Sequence, residues 1–215
     1  MKERIWRYKK DSEIEKAISR FMDENLYSNE MFKDVKRTKD KSHQVSGCDI
    51  IFSIPSLNLN NIVVDEKCSS HYCDGKLNTF TLELSLIDKA NNIIDGWFLN
   101  EKNKTEYYML MWLTTPYSKK EWYKVDYDSI QKIDFALVSK KRILEHLNEY
   151  GLDIDELREA CREIRKLDDK IDTNIKGIEY TYSKQFAEKP INIKIDRDLY
   201  KRISLIEGSV VKQEK

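Results

Sequence analysis

The chain has 215 residues, of which 40% are hydrophobic and 35% are charged, and its 38 basic and 38 acidic side chains give a net charge of zero. This length and composition exclude an intrinsically disordered chain and predict one globular domain over residues 1–215. The zero net charge does not by itself indicate a nucleic-acid partner, because a surplus of basic residues is the usual sign of one. Basic runs at residues 36–41 and 140–142 are typical of solvated surface.

Targeting and membrane-spanning segments are not visible in the sequence. The first ten residues are charged and lack the apolar stretch of a signal peptide, and no apolar segment approaches the length of a bilayer span. We therefore expect a cytoplasmic protein that makes no contact with membranes. In that compartment its four cysteines should be reduced.

The first predicted element is an amphipathic helix over residues 12–26. Its apolar residues recur at helical spacing, for example at Ile14, Ile18 and Phe21. Ser12 is a candidate N-cap, and Glu15 three residues later completes the pattern of a capping box.

A β-hairpin is predicted next. Apolar and β-branched residues indicate strands at residues 48–54 and 62–68. Pro55 and the Asn-rich residues 58–61 predict the turn that joins them, and so short a connection favours antiparallel pairing.

Further strands follow the hairpin. Residues 79–87 alternate between apolar and polar side chains, which predicts a half-buried strand. Two more strands are expected at residues 93–99 and 106–113. The second of these is apolar enough to be a central strand that is covered on both faces.

Helices return towards the C-terminus. One is predicted at residues 139–150, ended by Gly151, and another at residues 153–166, with Asp153 as a candidate cap. Two edge strands and a final helix are predicted at residues 175–182, 190–195 and 197–205. The order of elements is typical of an α+β or mixed α/β fold, with a core over about residues 12–115 and a C-terminal elaboration over residues 116–215.

A candidate catalytic group is formed by Asp49, Asp65 and Lys67. Asp65 and Lys67 are two residues apart on a predicted strand, so both side chains leave the same face, whereas Glu66 leaves the other. The hairpin brings Asp49 beside Asp65. Two close carboxylates repel each other, and a divalent cation removes that conflict while a neighbouring lysine stabilises charge on a phosphate. The pattern predicts a magnesium (or manganese) centre that cleaves phosphodiesters.

The alternative is that Asp65 and Lys67 form a solvated ion pair of little energetic value, because Asp-X-Lys is common by chance. Two features favour the metal centre. The apolar residues 62–64 run directly into Asp65, and a second acid, Asp49, opens the neighbouring apolar strand after Gly47.

The segment Gly47-Cys48-Asp49, followed by Ile62-Val63-Val64-Asp65-Glu66-Lys67, resembles the PD-(D/E)XK nuclease superfamily, which has the restriction-endonuclease-like fold. Segments at residues 79–84, 96–98 and 105–108 are similar to a group of uncharacterised microbial and phage proteins in that superfamily, and the resemblance spans about residues 12–113. There are two departures. Cys48 stands where a proline is usual, and segments that alternate like strands follow Lys67 where the family core normally has a helix.

The resemblance implies a central mixed sheet flanked by helices, here with extra strands, and a metal-dependent DNA endonuclease of the restriction, repair or phage-defence type. It implies that Asp49 and Asp65 hold Mg²⁺ or Mn²⁺ and that Lys67 assists the attacking water. Glu15 is the candidate for the glutamate that often comes from the first helix in this family. Many members act as dimers, so a homodimer is expected.

Several other residues have both a functional and a structural interpretation. Glu15 is either a metal ligand or part of the capping box, and Glu83 is either a further acid of the site or a solvated strand residue. The polar residues Gln44, Ser69 and Ser70 flank the motif and are candidates for phosphate contacts.

Cysteine, histidine and aromatic residues suggest two more sites. Cys48, Cys68, His71 and Cys73 suggest a zinc site, although their irregular spacing favours reduced thiols and a surface histidine. His43 and His146 have no Ser or Cys partner in a nucleophilic arrangement. Base stacking or, more in keeping with their positions, core and edge packing is expected of the aromatic residues Trp97, Tyr107, Tyr108, Trp112, Trp122 and Tyr123.

Three functions are compatible with these patterns. The first is a divalent-metal-dependent endonuclease acting on DNA. The second is a non-catalytic protein that keeps the nuclease fold and binds nucleic acid or a protein partner. The third is a hydrolase of another phosphate ester, for which the sequence has no pocket signature. The absence of a phosphate-binding glycine loop disfavours hydrolysis of nucleoside triphosphates.

Overall fold

The protein is described from a computed structural model that covers residues 2–38 and 47–212. Its helical elements are α1 (Lys2–Met22), a π-helical turn (Asp23–Tyr27), two 3-10 turns (Pro55–Leu57 and Lys119–Lys124), α2 (Lys140–Asn148), α3 (Ile154–Leu167) and α4 (Arg197–Ile203). Its strands are β1 (Lys33–Arg37), β2 (Ile50–Ile54), β3 (Leu59–Cys68), β4 (Thr79–Ile87), β5 (Ile93–Asp95), β6 (Tyr107–Thr114), β7 (Lys132–Ser139), β8 (Ile178–Tyr182), β9 (Ile191–Asp196) and β10 (Ile206–Val211).

The main sheet has six strands in the order β1-β2-β3-β6-β7-β10. Strands β3 and β6 run parallel, with Asp65 opposite Tyr108, and the other neighbouring pairs are antiparallel. A parallel pair needs a crossover connection, and here the crossover contains β4 and β5. The predicted hairpin and the predicted mixed α+β character are confirmed.

The second sheet has four antiparallel strands in the order β5-β4-β9-β8. The prediction of an edge strand is confirmed for β8 and wrong for β9, which lies between β4 and β8. The three isoleucines of β9 occupy alternate positions (Ile191, Ile193 and Ile195) and are all buried, which suits an interior strand. Residues beyond 115 therefore supply strands to both sheets.

Strand β6 separates two hydrophobic cores. Met109, Met111 and Leu113 pack in the core on the α1 side, whereas Tyr108, Leu110 and Trp112 pack in the core that contains the second sheet, α2 and α3. Each of these six side chains is 2% exposed or less. The prediction that this strand is covered on both faces is confirmed.

Helix α1 covers one face of the main sheet with Ile14, Ile18, Phe21 and Met22, all of which are buried. It begins at Lys2, so Ser12 lies inside the helix and the predicted capping box is wrong. The sequence before Ser12 is rich in Lys and Arg, which extend a helix through intrinsic propensity.

The predicted strand at residues 93–99 is shorter in the structure. Only Ile93–Asp95 forms a strand, and the chain turns at Gly96. A Cβ atom at Gly96 would lie 2.5 Å from the carbonyl oxygen of Glu83, so this close approach requires glycine.

None of the helices in the described part of the chain is long and apolar enough to cross a membrane.

Candidate functional site

Asp49 lies just before β2 and is held against β3 by two hydrogen bonds. Its backbone N–H donates to the carbonyl oxygen of Val64 (3.0 Å), and its carboxylate Oδ2 accepts the backbone N–H of Glu66 (2.8 Å). The hairpin register therefore fixes the Asp49 carboxylate beside the end of β3, as the sequence predicts.

Asp65 and Lys67 leave the same face of β3 and contact each other. Lys67 Nζ donates to Asp65 Oδ1 at 2.6 Å, and the side chains of Lys67 and Asp65 are 30% and 3% exposed, respectively. Lys67 Nζ also lies 5.2 Å from the centre of the Trp97 ring. In this pair the Asp65 carboxylate is buried and the Lys67 side chain is partly exposed to solvent. It therefore differs from the fully solvated ion pair that the sequence also allowed.

The Asp65 carboxyl has an unusual proton affinity. Burial raises its pKa from the ordinary 3.8 to about 7; the charge of Lys67 opposes this rise, while Asp49 adds to it through its charge and through a hydrogen bond. The structure therefore brings together all three residues of the predicted acid–lysine group. The side chains of Asp49 and Asp65 are close enough for a hydrogen bond to join them.

Gly47 lies next to the Asp65 carboxylate. It has a φ of +75°, and Thr105 donates its hydroxyl hydrogen to the Gly47 carbonyl oxygen at 2.8 Å. A Cβ atom at Gly47 would lie 2.0 Å from Thr105 Oγ1 and 3.5 Å from Asp65 Oδ2. The backbone at Gly47 thus approaches the Thr105 side chain as closely as only glycine allows.

Glu66 faces the other side of β3 and belongs to a buried polar network. Arg37 Nη1 donates to Glu66 Oε2 (2.5 Å), Tyr27 Oη donates to Glu66 Oε1 (2.8 Å), and Arg37 Nη2 also donates to Asp23 Oδ1 (2.7 Å). Burial raises the pKa of Glu66, and Arg37 opposes that rise. The network fastens β1 and the π-helical turn to the strand that carries Asp65 and Lys67. The sequence predicted the face of Glu66 but not its partners.

A cleft of about 830 Å³ opens between α1 and the end of β3. Glu15, Asp49, Glu66 and Lys67 are among the residues that line it. Glu15 lies at the exposed rim of this cleft, where loss of water raises the pKa of its carboxyl. The charges of Asp11 and Asp49 raise that pKa further, and Lys67 lowers it. Glu15 therefore faces the charges of the acid–lysine group from across the cleft.

Glu83 lies on β4 in the second sheet and is not among the residues that line the cleft. It accepts a hydrogen bond from the backbone N–H of Trp97 (3.4 Å), and burial raises the pKa of its carboxyl. The charge of Lys67 opposes this rise. Glu83 therefore interacts electrostatically with Lys67 from the second sheet.

The polar residues that flank the motif have different positions. Ser70 lines the cleft, and the backbone N–H of Ser69 donates to Met111 in β6. Gln44 and His43 lie outside the described residues. His146 on α2 pairs with Glu149, which follows the helix, and neither residue lines the cleft.

The suggested zinc residues do not converge. Cys48 contacts the Thr38 hydroxyl, and the Cys73 thiol donates to the carbonyl oxygens of Tyr117 and Ser118. Burial raises the pKa of the Cys68 thiol well above its usual range, so a thiolate is disfavoured there. The favoured interpretation, reduced thiols, agrees with these contacts, since Cys48, Cys68 and Cys73 are all free.

His71 takes part in a second group that the sequence did not reveal. Its Nε2 lies 2.9 Å from Asp11 Oδ1, and its ring stacks on Trp122 with centroids 4.0 Å apart. Asp11 precedes Glu15 by one helical turn, so this pair borders the cleft. A smaller cavity of about 360 Å³ beside it is lined by Asp11, Ser12, Glu15, Ser70 and His71.

No protein-family model, curated protein or solved structure matches this chain. The chemistry of the site therefore rests on its own geometry.

The donor set at the acid–lysine group suits a hard divalent cation. Within residues 2–38 and 47–212, no group of three or more His, Cys, Asp or Glu side chains is arranged to hold a metal ion. Asp49 and Asp65 offer two carboxylates, and Mg²⁺ commonly takes its remaining ligands from water and phosphate oxygens. Two carboxylates held this close repel each other, and such a cation relieves that repulsion.

Proposed function

We propose that this protein is a divalent-metal-dependent nuclease that hydrolyses phosphodiester bonds in DNA. The observation that carries the proposal is the convergence of Asp49, Asp65 and Lys67 at one end of the β2–β3 hairpin. Asp49 and Lys67 line an open cleft there, and Asp65 is buried behind them. Asp49 and Asp65 would hold Mg²⁺ or Mn²⁺, and Glu15 would add a carboxylate from α1.

A restriction-endonuclease-like core is part of the proposal. Its support is the arrangement of α1, the antiparallel β1–β2–β3 meander and a fourth strand, β6, parallel to β3. The crossover between β3 and β6 contains the β4–β5 strands instead of the helix that the family core normally has.

Backbone and side-chain groups of the chain orient the two carboxylates and position Lys67. The Glu66 N–H orients the Asp49 carboxylate, and Lys67 orients that of Asp65. When bound, the cation would acidify a water molecule and neutralise charge on the leaving oxygen. Lys67, held beside the Trp97 ring, would stabilise the negative charge that builds on the phosphate.

The test is a cleavage assay with plasmid DNA and Mg²⁺ or Mn²⁺. We expect the wild-type protein to cut, and Asp49→Ala, Asp65→Ala and Lys67→Ala each to lower the rate by about 100-fold or more. Lys194→Ala is the matched control, because Lys194 forms a comparable 2.7 Å ion pair with Glu179 in the second sheet. Cleavage that survives Asp65→Ala would refute the mechanism.

A non-catalytic protein with the same fold is the second candidate. It is favoured by the ion pair of Asp65 with Lys67 and by the lack of a three-ligand group among the described residues. This alternative predicts no cleavage with either metal and no rise in melting temperature on adding Mg²⁺. The nuclease proposal predicts such a rise, because a ligand that binds only the folded state stabilises it, and predicts its loss in Asp65→Ala.

The expected homodimer stays a prediction from the family resemblance. Light scattering of the purified protein decides it.

A further inference from the structure

A cluster of exposed aromatic side chains, here called the aromatic patch, lies beside the cleft. It consists of Trp6 on α1, Tyr72 after β3 and Tyr123 in the second 3-10 turn, together with the partly buried Trp122 next to Tyr123. Trp6, Tyr72 and Tyr123 are 43%, 42% and 38% exposed, respectively. Large aromatic groups that stay this exposed, side by side, are typical of a surface that binds something.

The rings of the patch hold one another in place. The Trp6 centroid lies 6.2 Å from that of Trp122 and 5.7 Å from that of Tyr123. Trp122 in turn stacks on His71 at 4.0 Å with only 11° between the ring planes. Trp6, Trp122, Tyr123 and His71 therefore form one set of rings in mutual contact.

The patch is connected to the acid–lysine group. His71, which stacks on Trp122, pairs with Asp11, and Asp11 lies one helical turn before Glu15. The small cavity lined by Asp11 and His71 shares Ser12, Glu15 and Ser70 with the main cleft. A continuous path therefore leads from Asp49 and Lys67 to the exposed rings.

Lysines flank the rings at one end of this path, whereas Asp11 and Glu15 line its middle. Lys119 Nζ lies 3.9 Å from the centre of the Tyr72 ring, and Lys120 follows it in the same turn. Lys16 lines the main cleft. Within the described part of the chain, none of these three lysines forms a salt bridge. Rings flanked by such lysines complement a ligand that has flat bases and a negatively charged backbone.

We propose that the aromatic patch binds the bases of an unpaired DNA strand whose backbone continues into the cleft. This inference rests on the proposed nuclease function and specifies its substrate as DNA with a single-stranded segment, such as an end, a flap or a gap. Paired bases already stack on their neighbours in a duplex, so only an unpaired strand presents its bases to Trp6 and Tyr123. Binding at such sites tolerates different base sequences, because every base has an aromatic face.

The test measures binding separately from cleavage. The full chain carrying Asp65→Asn, which keeps the DNA intact, is titrated into fluorescein-labelled oligothymidine and into a blunt duplex of equal length, and anisotropy gives Kd. We expect tighter binding to oligothymidine, and about tenfold weaker binding for each stacked base that is lost in Trp6→Ala and Tyr123→Ala. Affinity for the duplex should change little.

Tyr150→Ala is the matched control, because Tyr150 is 44% exposed and lies beyond α2, outside the residues that line either cavity. Trp6→Phe keeps a ring and should keep most of the affinity. Tyr123→Ala provides an independent test if Trp6→Ala does not fold.

Two results overturn the inference. One is unchanged oligothymidine affinity in the Trp6→Ala/Tyr123→Ala double variant. The other is loss of self-association in that variant, seen by light scattering without DNA, while DNA binding persists; this would assign the patch to a second copy of the chain.

The two proposals fail in different ways. If the wild-type protein never cleaves DNA but the patch variants lose oligothymidine binding, the nuclease proposal fails and the patch stands as a binding site. If duplex cleavage is robust and the patch variants bind oligothymidine normally, the patch inference fails alone.

Discussion

Asp65 combines deep burial with a neighbouring acid. Its pKa in the folded protein, about 7, lies above the ordinary value of 3.8, mainly because burial disfavours the charged form. At a pH between 3.8 and about 7, the Asp65 carboxyl is therefore protonated in the folded protein and ionised in the unfolded chain. The contribution of Asp65 to the free energy of unfolding therefore falls as the pH rises from about 4 to about 7. Above pH 7 this contribution stays constant.

Asp65→Asn should remove this dependence, because an amide does not titrate in that range. In metal-free buffer we expect the variant to be more stable than the wild type at pH 8, by on the order of 1–4 kcal/mol, and to differ little at pH 4. Urea unfolding at both pH values measures this. A variant less stable than the wild type at pH 8 would mean that the Lys67 ion pair outweighs the burial of the carboxylate.

Gly47→Ala should damage the site through sterics alone. The added methyl group would meet Thr105 Oγ1 at 2.0 Å, at a φ of +75°. Gly151 has the same φ, but a methyl group added there would meet no atom within 4 Å, so Gly151→Ala isolates the backbone strain. We expect Gly151→Ala to lose about 1 kcal/mol and Gly47→Ala to lose more, with loss of cleavage as well. Equal effects of the two substitutions on melting temperature would contradict this account.

At the scale of elements, the Arg37–Glu66 pair ties β1 to the back of β3. Removing Arg37 leaves the carboxylate of Glu66 buried without its cation, because the Glu66 side chain is only 7% exposed. Arg37→Ala should lower the free energy of unfolding by about 3 kcal/mol or more. Arg162→Ala, which removes an exposed pair with Glu159, should change it by less than about 1 kcal/mol. Urea unfolding of both variants at pH 7 provides the comparison.

Helix α1 contributes Glu15 to the cleft, and its true start removes the capping explanation for this residue. Glu15→Gln should therefore raise the Mg²⁺ concentration needed for half-maximal cleavage while leaving the melting temperature nearly unchanged. Glu13→Gln is the control, since Glu13 pairs with Lys10 on the same helix and does not line the cleft. If the two variants respond to Mg²⁺ alike, Glu15 is not a metal ligand.

The sequence predicted those strands whose apolar side chains follow a regular pattern along the chain. Strand β4 alternates and strand β6 is continuously apolar, and both were predicted within one or two residues. Strand β10 was not predicted, because its residues are mostly exposed and only its pairing with β7 makes it a strand. Strand β7 was also missed, because its apolar run leads directly into α2 without a turn residue.

The same distinction applies to the candidate site. Two-residue spacing on a strand and the register of a short hairpin are local, so the convergence of Asp49, Asp65 and Lys67 was predictable. The pairing of Asp11 with His71 joins residues 60 positions apart and depends on how α1 packs over the sheet. No local pattern contains that information.

At the scale of the whole molecule, β6 belongs to both hydrophobic cores. Leu110 packs in one core and Met109 in the other, and both are fully buried. Loss of packing on either side therefore disturbs the same strand. We infer that the two cores unfold together.

Leu110→Ala and Met109→Ala should each lower stability by about 2–5 kcal/mol. In both variants, urea unfolding followed by tryptophan fluorescence and by far-ultraviolet circular dichroism should show one coincident transition. Leu167→Ala, at a residue that is 57% exposed, should change stability by less than about 0.5 kcal/mol. Two separate transitions would mean that the cores are independent units.

The pairing of β10 with β7 has a consequence for synthesis in the cell. Strand β7 is almost entirely buried, and its outer edge is completed only by residues 206–211, which a ribosome makes about 70 residues later. Until then the nascent chain carries an apolar strand with a row of unpaired amide and carbonyl groups, the feature that recruits other strands. A chaperone, or slow release from the ribosome, would have its greatest benefit during that interval.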